Sequence, residues 1–396
     1  MSIKTRFQPL LTQQKEQALY RNRALATSPQ TTRMQINGLN VINFSSNDYL
    51  GLANHPKIKQ ALIHALQTDE ISYGAGAAHL VTGHHLHHHL AENEIADWLG
   101  TERALLFSTG YMANLAVQQT LMQSNDIILA DKLCHASLID GAQHSAATLK
   151  RYPHNDMKAL ERRLKQSKET QKEGGGEILI VTDGVFSMDG DVAPLKEIQA
   201  LAHHYQAWLL VDDAHGFGVL GQQGRGCFEH LGVTPDDNTI LVGTLGKAFG
   251  CSGAFVAGSA TLIEALIQFA RAYIYTTAMS PLNALAIREA LTLVQKAQVS
   301  RETLMQHIQQ FRAGAQQIGL SLIDSPTPIQ AIILKQSHTA IAWSEYLKQQ
   351  GFWVTAIRPP TVPKNQARLR ITLSARHSTK QITQLLKALK SCQIDL

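Results

Sequence analysis

Lys247 stands in the run Thr244-Leu245-Gly246-Lys247-Ala248-Phe249-Gly250, directly after the apolar stretch Ile240-Leu241-Val242. An amine set between a hydroxyl and small residues is suited to forming a Schiff base with an aldehyde. The Thr244 hydroxyl suits a phosphate, and the glycines let a flat ring approach the backbone. A surface lysine in a glycine-rich turn looks the same locally, so other segments must decide.

Trp208-Leu209-Leu210-Val211-Asp212-Asp213-Ala214-His215 is an apolar strand that ends in acid and histidine. In open α/β sheets ligands bind at the carboxyl ends of strands. A carboxylate there can hold a protonated pyridine nitrogen, which makes the ring an electron sink. His215 can reach another edge of the same ring. A strand-end aspartate is also a common helix cap, and a loop histidine commonly bonds backbone. Gly216-Phe217-Gly218-Val219-Leu220-Gly221 follows and matches a dinucleotide fingerprint. That fold needs a helix to open there, and Gln222-Gln223-Gly224-Arg225-Gly226 is a poor helix start; a nicotinamide site is not expected.

Three further strand ends carry polar groups. Ser108-Thr109-Gly110-Tyr111 leads into a helical pattern, which suits either a phosphate seat or a plain helix cap. His135 follows the strand-like run 127–130, and its flat ring could stack on a cofactor. Ser187 follows the run 178–182. Near the C-terminus, alternation puts Arg368 and Arg370 on one strand face. Such a fork suits a carboxylate, and two solvated charges on an edge strand fit the pattern equally. Gly83-His84-His85-Leu86-His87-His88-His89-Leu90 suggests a metal to the eye. Zinc sites want other spacings, HExxH is absent, and Leu86 and Leu90 recur at helical spacing. The segment reads as a helix with several exposed histidines, and no metal is expected.

These groups need a scaffold. From about residue 104, short apolar runs (104–107, 127–130, 178–182, 208–211, 240–242, 254–257) alternate with helical patterns. That alternation means a largely parallel sheet covered by helices. The last two runs are too close for a helical crossover, which predicts an antiparallel pairing between them. A helical stretch over 281–320 precedes strand-like pieces near 329–334, 352–356 and 368–373, with helices at 338–350 and 379–391. The run 165–176, charged and then triple-glycine, reads as an exposed connection.

The chain has 396 residues, 44% apolar and 17% charged, the profile of a globular protein. The net charge of +5 is spread along the chain and gives no nucleic-acid footprint. No apolar run reaches the roughly 18 residues a membrane helix needs. The N-terminal stretch lacks the apolar core of a secretory signal. Four scattered cysteines, without a CxxC pair, fit a reducing compartment, so a cytoplasmic location is expected.

Several of these segments occur in a recognisable order. They are Asn47 in Phe44-Ser45-Ser46-Asn47-Asp48-Tyr49-Leu50-Gly51-Leu52, Gly110-Tyr111, His135, Ser187, Asp212-Asp213-Ala214-His215 and the Lys247 run. Tyr275-Thr276-Thr277-Ala278, Arg358-Pro359-Pro360-Thr361-Val362-Pro363 and the stretch 368–377 complete the set. From about residue 17 to 392 the chain resembles the α-oxoamine synthases, a fold-type I pyridoxal-phosphate family.

The resemblance implies an α/β fold with a mostly parallel seven-stranded sheet sandwiched by helices. It implies an N-terminal helix and short strands over 1–50, a large cofactor-binding domain over 51–285, and a smaller α+β domain over 286–396. It implies pyridoxal 5′-phosphate as cofactor, with Lys247 as its Schiff-base partner and later the proton shuttle. Asp212 would meet the pyridine nitrogen, His215 and Ser187 the phenolic oxygen side, and His135 the ring face. Gly110, Tyr111 and Thr244 would complete the seat. Thr276 and Thr277 would reach the phosphate of a second subunit, so a homodimer with active sites at the subunit interface is implied. Arg370 and Asn47 would hold the amino-acid carboxylate, and Arg21 and Thr361 the acyl substrate. The runs at 356–363 and 367–375 look most like the branch that joins L-alanine to a pimeloyl thioester in biotin synthesis. Sister synthases, an aminotransferase of the same fold and a catalytically dead binding subunit remain as alternatives. One departure stands out: Gly74-Ala75-Gly76-Ala77-Ala78-His79 lacks the family's hydroxyls there and carries a histidine.

Overall fold

A computed structural model describes residues 1–395 apart from 18, 69 and 172–174. The chain divides into two compact units, one of residues 52–187 and 191–301, the other of residues 1–51, 188–190 and 302–396.

The larger unit is built on a seven-stranded sheet. Its order is Arg103–Phe107, Ala254–Gly258, Thr239–Thr244, Trp208–Asp212, Ile178–Asp183, Ile127–Asp131 and Thr148–Tyr152. Every pairing is parallel except the two made by Ala254–Gly258, which runs antiparallel to both neighbours. The short link predicted an antiparallel pair with Thr239–Thr244, and it forms. The inner strands are apolar end to end because helices cover both sheet faces. Ile128, Leu179, Val181, Leu210 and Val256 are buried on one side with Ala113, Val117 and Leu138 from two helices, Gly110–Leu121 and Ala136–His144.

The structure adds one strand that the apolar runs did not reveal. Thr148–Tyr152 (TLKRY) is an edge strand that buries only its last residue, so its sequence carries no apolar run. The expected connection at 165–176 is helical as far as Gln171, within the helix Met157–Gln171; residues 172–174 lie outside the described residues. Lys, Gln and Glu are good helix formers, so a charged composition there did not mean a loop. The stretch 281–320 is two helices, Pro281–Gln295 and Gln298–Gln317.

Pro281–Gln295 packs against the helices Pro56–Gln67 and Leu86–Leu99 of the larger unit, burying Ala284, Ile287, Leu291 and Val294. A boundary at 285/286 would cut that helix, and the compact units instead divide at 301/302.

The smaller unit has two three-stranded sheets. In one, Arg33–Ile36 pairs antiparallel with Leu39–Asn43, which pairs in parallel with Phe352–Trp353. This pairing makes residues 1–51 part of the same unit as the C-terminal segment rather than a piece of their own. The other sheet sets Ala367–Thr372 between Ile329–Lys335 and Thr355–Ile357, antiparallel to both. The N-terminal helix Ile3–Glu16 buries none of its residues. Among the described residues no helix is long and apolar enough to cross a membrane.

Candidate active site

Lys247 lies in the turn that joins Thr239–Thr244 to the antiparallel strand Ala254–Gly258. The turn is pinned by Leu245 N–H to Gly253 O at 2.9 Å and by Cys251 N–H to Leu245 O at 2.9 Å. Leu245, Ala248 and Phe249 are buried to within 1% of completely, which leaves Lys247 half-buried between anchored neighbours. Gly250 has a φ of +65°, and a Cβ there would come within 2.2 Å of the Ala53 nitrogen, so the tight approach demands glycine.

Lys247 Nζ is 2.8 Å from His215 Nε2. His215 is buried and stands three residues past Asp212, the last residue of its strand. Asp212 accepts a hydrogen bond from Asn114 Nδ2 at 2.6 Å and from the Ala214 N–H at 3.1 Å. Asn114 Nδ2 also meets Ser137 Oγ at 2.8 Å, and Ser137 Oγ is 2.7 Å from His135 Nδ1. The network thus runs from His135 through Ser137 and Asn114 to Asp212.

Asp183 ends the adjacent strand in register with Asp212. It accepts the His135 N–H at 2.8 Å. Burial first, and then the Asp212 charge, push its carboxyl well above the usual range. His135 is held below the ordinary imidazole value, by desolvation first and against the pull of Asp212. The residue is nevertheless exposed.

Gly110 opens the helix Gly110–Leu121, capped by Thr109, whose hydroxyl accepts the Met112 N–H at 3.2 Å. A Cβ at Gly110 would lie 4.0 Å from the Thr244 Cβ, so the helix start and the lysine turn are neighbours. Thr244 Oγ1 donates to Gly253 O at 3.2 Å. Tyr111 is exposed, and its hydroxyl donates to Asp140. Ser187 is half-buried in the turn after Ile178–Asp183. Thr276 Oγ1 donates back to Ala272 O at 2.9 Å, and Thr277 is exposed and bridges Ala78.

The fingerprint at 216–221 opens no helix; the next one begins at Cys227. A Cβ at Gly216 would fall 2.1 Å from Asp213 Oδ1, so its glycine serves the packing of Asp213. That second acid bonds the Cys227 N–H at 2.6 Å, away from the Lys247–Asp212 set.

In the smaller unit Arg370 and Arg368 lie mid-strand in Ala367–Thr372 and are both buried. The solvated-edge alternative fails because strands flank them on each side. Arg370 Nη1 donates to Asn47 Oδ1 at 3.2 Å, and Tyr49 Oη bonds the same oxygen at 3.2 Å. Burial pushes the Tyr49 phenol up to about 12. Arg368 pairs with Asp189 instead. Arg21 lies in an exposed segment and Thr361 in an exposed turn after the cis Pro359-Pro360 bond; no described contact draws either to Arg370 or Asn47.

The histidine run differs from its expected form. Leu86–Leu99 is a helix capped by His85, but His88 is completely buried, and His79, outside the run, lies against it. Burial pushes the His79 ring down to about 3 and His88 to about 4.

Residues 40–389 match the family model for class I and II aminotransferases. The 8-amino-7-oxononanoate synthase of Hydrogenovibrio crunogenus is 66% identical over 395 residues, covering 100% of this chain and 98% of the relative. The chain belongs to the 8-amino-7-oxononanoate synthases, a branch of the α-oxoamine synthases. The 8-amino-7-oxononanoate synthase structure from Francisella tularensis superimposes with a TM-score of 0.76 at 33% identity, covering 90% of this chain and 98% of that one. A serine palmitoyltransferase from S. paucimobilis, solved with PLP bound, gives a TM-score of 0.92 at 28% identity, covering 100% and 99%. The family's fold is the fold-type I fold, and its cofactor is pyridoxal 5′-phosphate. The residues present fit that group. A buried carboxylate at a strand end and an exposed imidazole share one network, the lysine amine bonded to His215 follows the end of the neighbouring strand, and Asn114 Oδ1 is buried in the network without a hydrogen-bond partner.

Asn114, Ser137 and Asp183 were not singled out from the sequence as site residues. Asn114 had a readable signal: it is a polar residue on the apolar face of its helix, between Ala113 and Ala116. Ser137 had none, because a serine in a first helical turn is ordinary.

Proposed function

We propose that this chain condenses L-alanine with a pimeloyl thioester to give 8-amino-7-oxononanoate, CO2 and free thiol, a step of biotin biosynthesis. The chemistry rests on one observation, the Lys247 amine 2.8 Å from His215 Nε2. The substrate pair is supported by the 66% identity to the H. crunogenus synthase over the full chain.

Lys247, Asp212, His215, His135, Ser187, Thr244, Gly110 and Tyr111 would hold the cofactor. When bound, pyridoxal phosphate supplies an aldehyde that captures the amino group and a ring that withdraws electrons from Cα. The reaction joins alanine Cα to the thioester carbonyl carbon and expels the thiol. It then breaks the bond from Cα to the carboxylate and puts a proton back on Cα. Lys247 Nζ removes the first Cα proton and delivers the last. His215 Nε2, at 2.8 Å, orients that amine and exchanges protons with it. Asp212 would hold the ring nitrogen of the bound cofactor through its carboxylate. Asn114, at 2.6 Å, fixes the angle of that carboxylate.

Arg370 and Asn47 hold the carboxylate of alanine, a task for which a planar guanidinium is suited. Arg21 and Thr361 contact the acyl chain. Thr276 and Thr277 serve the phosphate of a second copy, so the working assembly is a homodimer. The enzyme is cytoplasmic, a reading supported by its four scattered cysteines, which form no CxxC pair.

The test is thiol and CO2 release from purified enzyme given a panel of amino acids and acyl thioesters. Release that requires both L-alanine and the pimeloyl donor is expected. Preference for glycine or serine with another acyl group would make it a sister synthase. Amino transfer without thiol release would end the proposal.

A further inference from the structure

The segment 79–88 and the helix that follows hold a second group of convergent side chains, apart from Lys247. His79 opens a π-helical turn, His79–Gly83, and His84 follows the turn directly. His79 Nδ1 and His84 Nδ1 are 3.0 Å apart. His88, one helical turn further on, offers a third imidazole, and the ligand atoms of all three lie within 4.8 Å of one another. We propose that His79, His84 and His88 form a binding site for one divalent transition ion of borderline softness, of the Zn2+ class.

Three features of the geometry carry this. First, imidazole nitrogens about 2.0–2.1 Å from one zinc ion stand roughly 3.0–3.4 Å apart, and the His79–His84 pair is already at 3.0 Å. Second, two of the rings are held. His79 stacks on Tyr273 with centroids 5.1 Å apart and planes 11° from parallel. His88 Nε2 bonds the Met279 carbonyl at 2.8 Å. A backbone carbonyl on the far ring nitrogen is the usual support of a metal-binding histidine, because it fixes the tautomer and leaves Nδ1 with the lone pair. That Nδ1 now accepts the His85 N–H at 2.9 Å. The ion would displace this donor, which lies at a helix start where water can take it over. Third, the rings are unequally confined: His84 is exposed and free to adjust its ring, while His79 and His88 are buried. Glu92, on the same helix as His88, has a carboxylate oxygen 4.0 Å from His84 Nε2 and lies within reach as the outer acidic partner.

His79 brings the set together, and it stands apart from the histidine run. The run by itself shows helix spacing and no zinc-ligand pattern, so it does not reveal the site. The π-turn carries His79 back over the start of the helix, and π-turns recur at functional sites.

The test uses the cofactor-loaded enzyme, stripped with a chelator and titrated with Zn2+ by calorimetry. Co2+ serves as a second probe, through its visible absorption. One tight Zn2+ per chain is expected, with a Co2+ spectrum of nitrogen ligation. His84→Ala, at an exposed position, should weaken Zn2+ at least tenfold and remove the Co2+ bands. His79→Phe, which keeps the stack on Tyr273, should do the same. His89→Ala and His203→Ala, at surface histidines, should leave both signals unchanged. Equal Zn2+ affinity in the native enzyme and in His84→Ala would overturn the site. So would loss of binding in His89→Ala alone. Zn2+ held by the cofactor is common to all the variants and cancels between them.

Discussion

In the larger unit the polar groups stand at strand ends. Asp131, Asp212 and Thr244 each close an apolar strand, and His135, His215 and Lys247 follow them within a few residues. In the smaller unit Arg368 and Arg370 sit mid-strand, flanked on both sides, and each is buried. A strand end reaches the ligand crevice without interrupting the sheet, so it can present a reactive group whose partner is the ligand. A mid-strand charge must bring its own partner, or the desolvation penalty stands unopposed. Arg370 meets Asn47 and Arg368 meets Asp189, both supplied by distant parts of the chain. Reactivity is concentrated in the first arrangement, and structural dependence in the second.

That contrast can be broken or sharpened by substitution. Lys247→Ala should lower turnover by about a thousandfold or more, the range for losing a positioned acid–base group, while its urea midpoint stays near that of the native enzyme. An unfolded Lys247→Ala protein would erase the distinction between the two regions. Arg368→Ala should do the opposite. It leaves Asp189 unpaired, at a cost of about 3 kcal/mol in stability measured by urea unfolding, and it acts on kcat only through the fraction folded. Arg370→Lys lies between the two. It keeps the charge but loses the planar fork, and should raise the KM for alanine by about tenfold or more, roughly 1.4 kcal/mol or above, with a smaller effect on kcat. An unchanged KM would remove Arg370 from the carboxylate site.

The smallest expected effect belongs to His154 in the larger unit, which bonds Asp131 at 3.0 Å and Asp191 at 2.8 Å. Burial lowers its pKa, but the two carboxylates outweigh burial and raise it from 6.5 to about 9. The folded value lies above the unfolded one. The contribution is therefore complete below about pH 6.5 and is lost as pH rises through 9. After allowance for solvent screening it amounts to about 1 kcal/mol. Unfolding curves across that window should show a slope that His154→Gln removes.

The larger unit was the more legible in sequence. Its parallel strands are buried on both faces and read as apolar runs, and its reactive groups follow those runs directly. Thr148–Tyr152 escaped because an edge strand need not be apolar. Asn114 escaped because a single polar residue in a helix does not announce which carboxylate it faces. In the smaller unit, alternation gave the shared face of Arg368 and Arg370, but not their burial. Burial comes from strand pairings that join residues 329–335 and 355–357 to 367–372. The pairing of Leu39–Asn43 with Phe352–Trp353 spans nearly the whole chain, and no local pattern encodes it.

The antiparallel strand Ala254–Gly258 is inserted between Thr239–Thr244 and Arg103–Phe107, and so is made last of the three. During synthesis Arg103–Phe107 therefore leaves the ribosome without the strand it pairs with. It waits as a bare, greasy ribbon until the lysine hairpin has emerged far downstream. Such a gap in translation time is a window for mispairing between nascent copies, and a rare-codon pause placed before residue 254 would lengthen it.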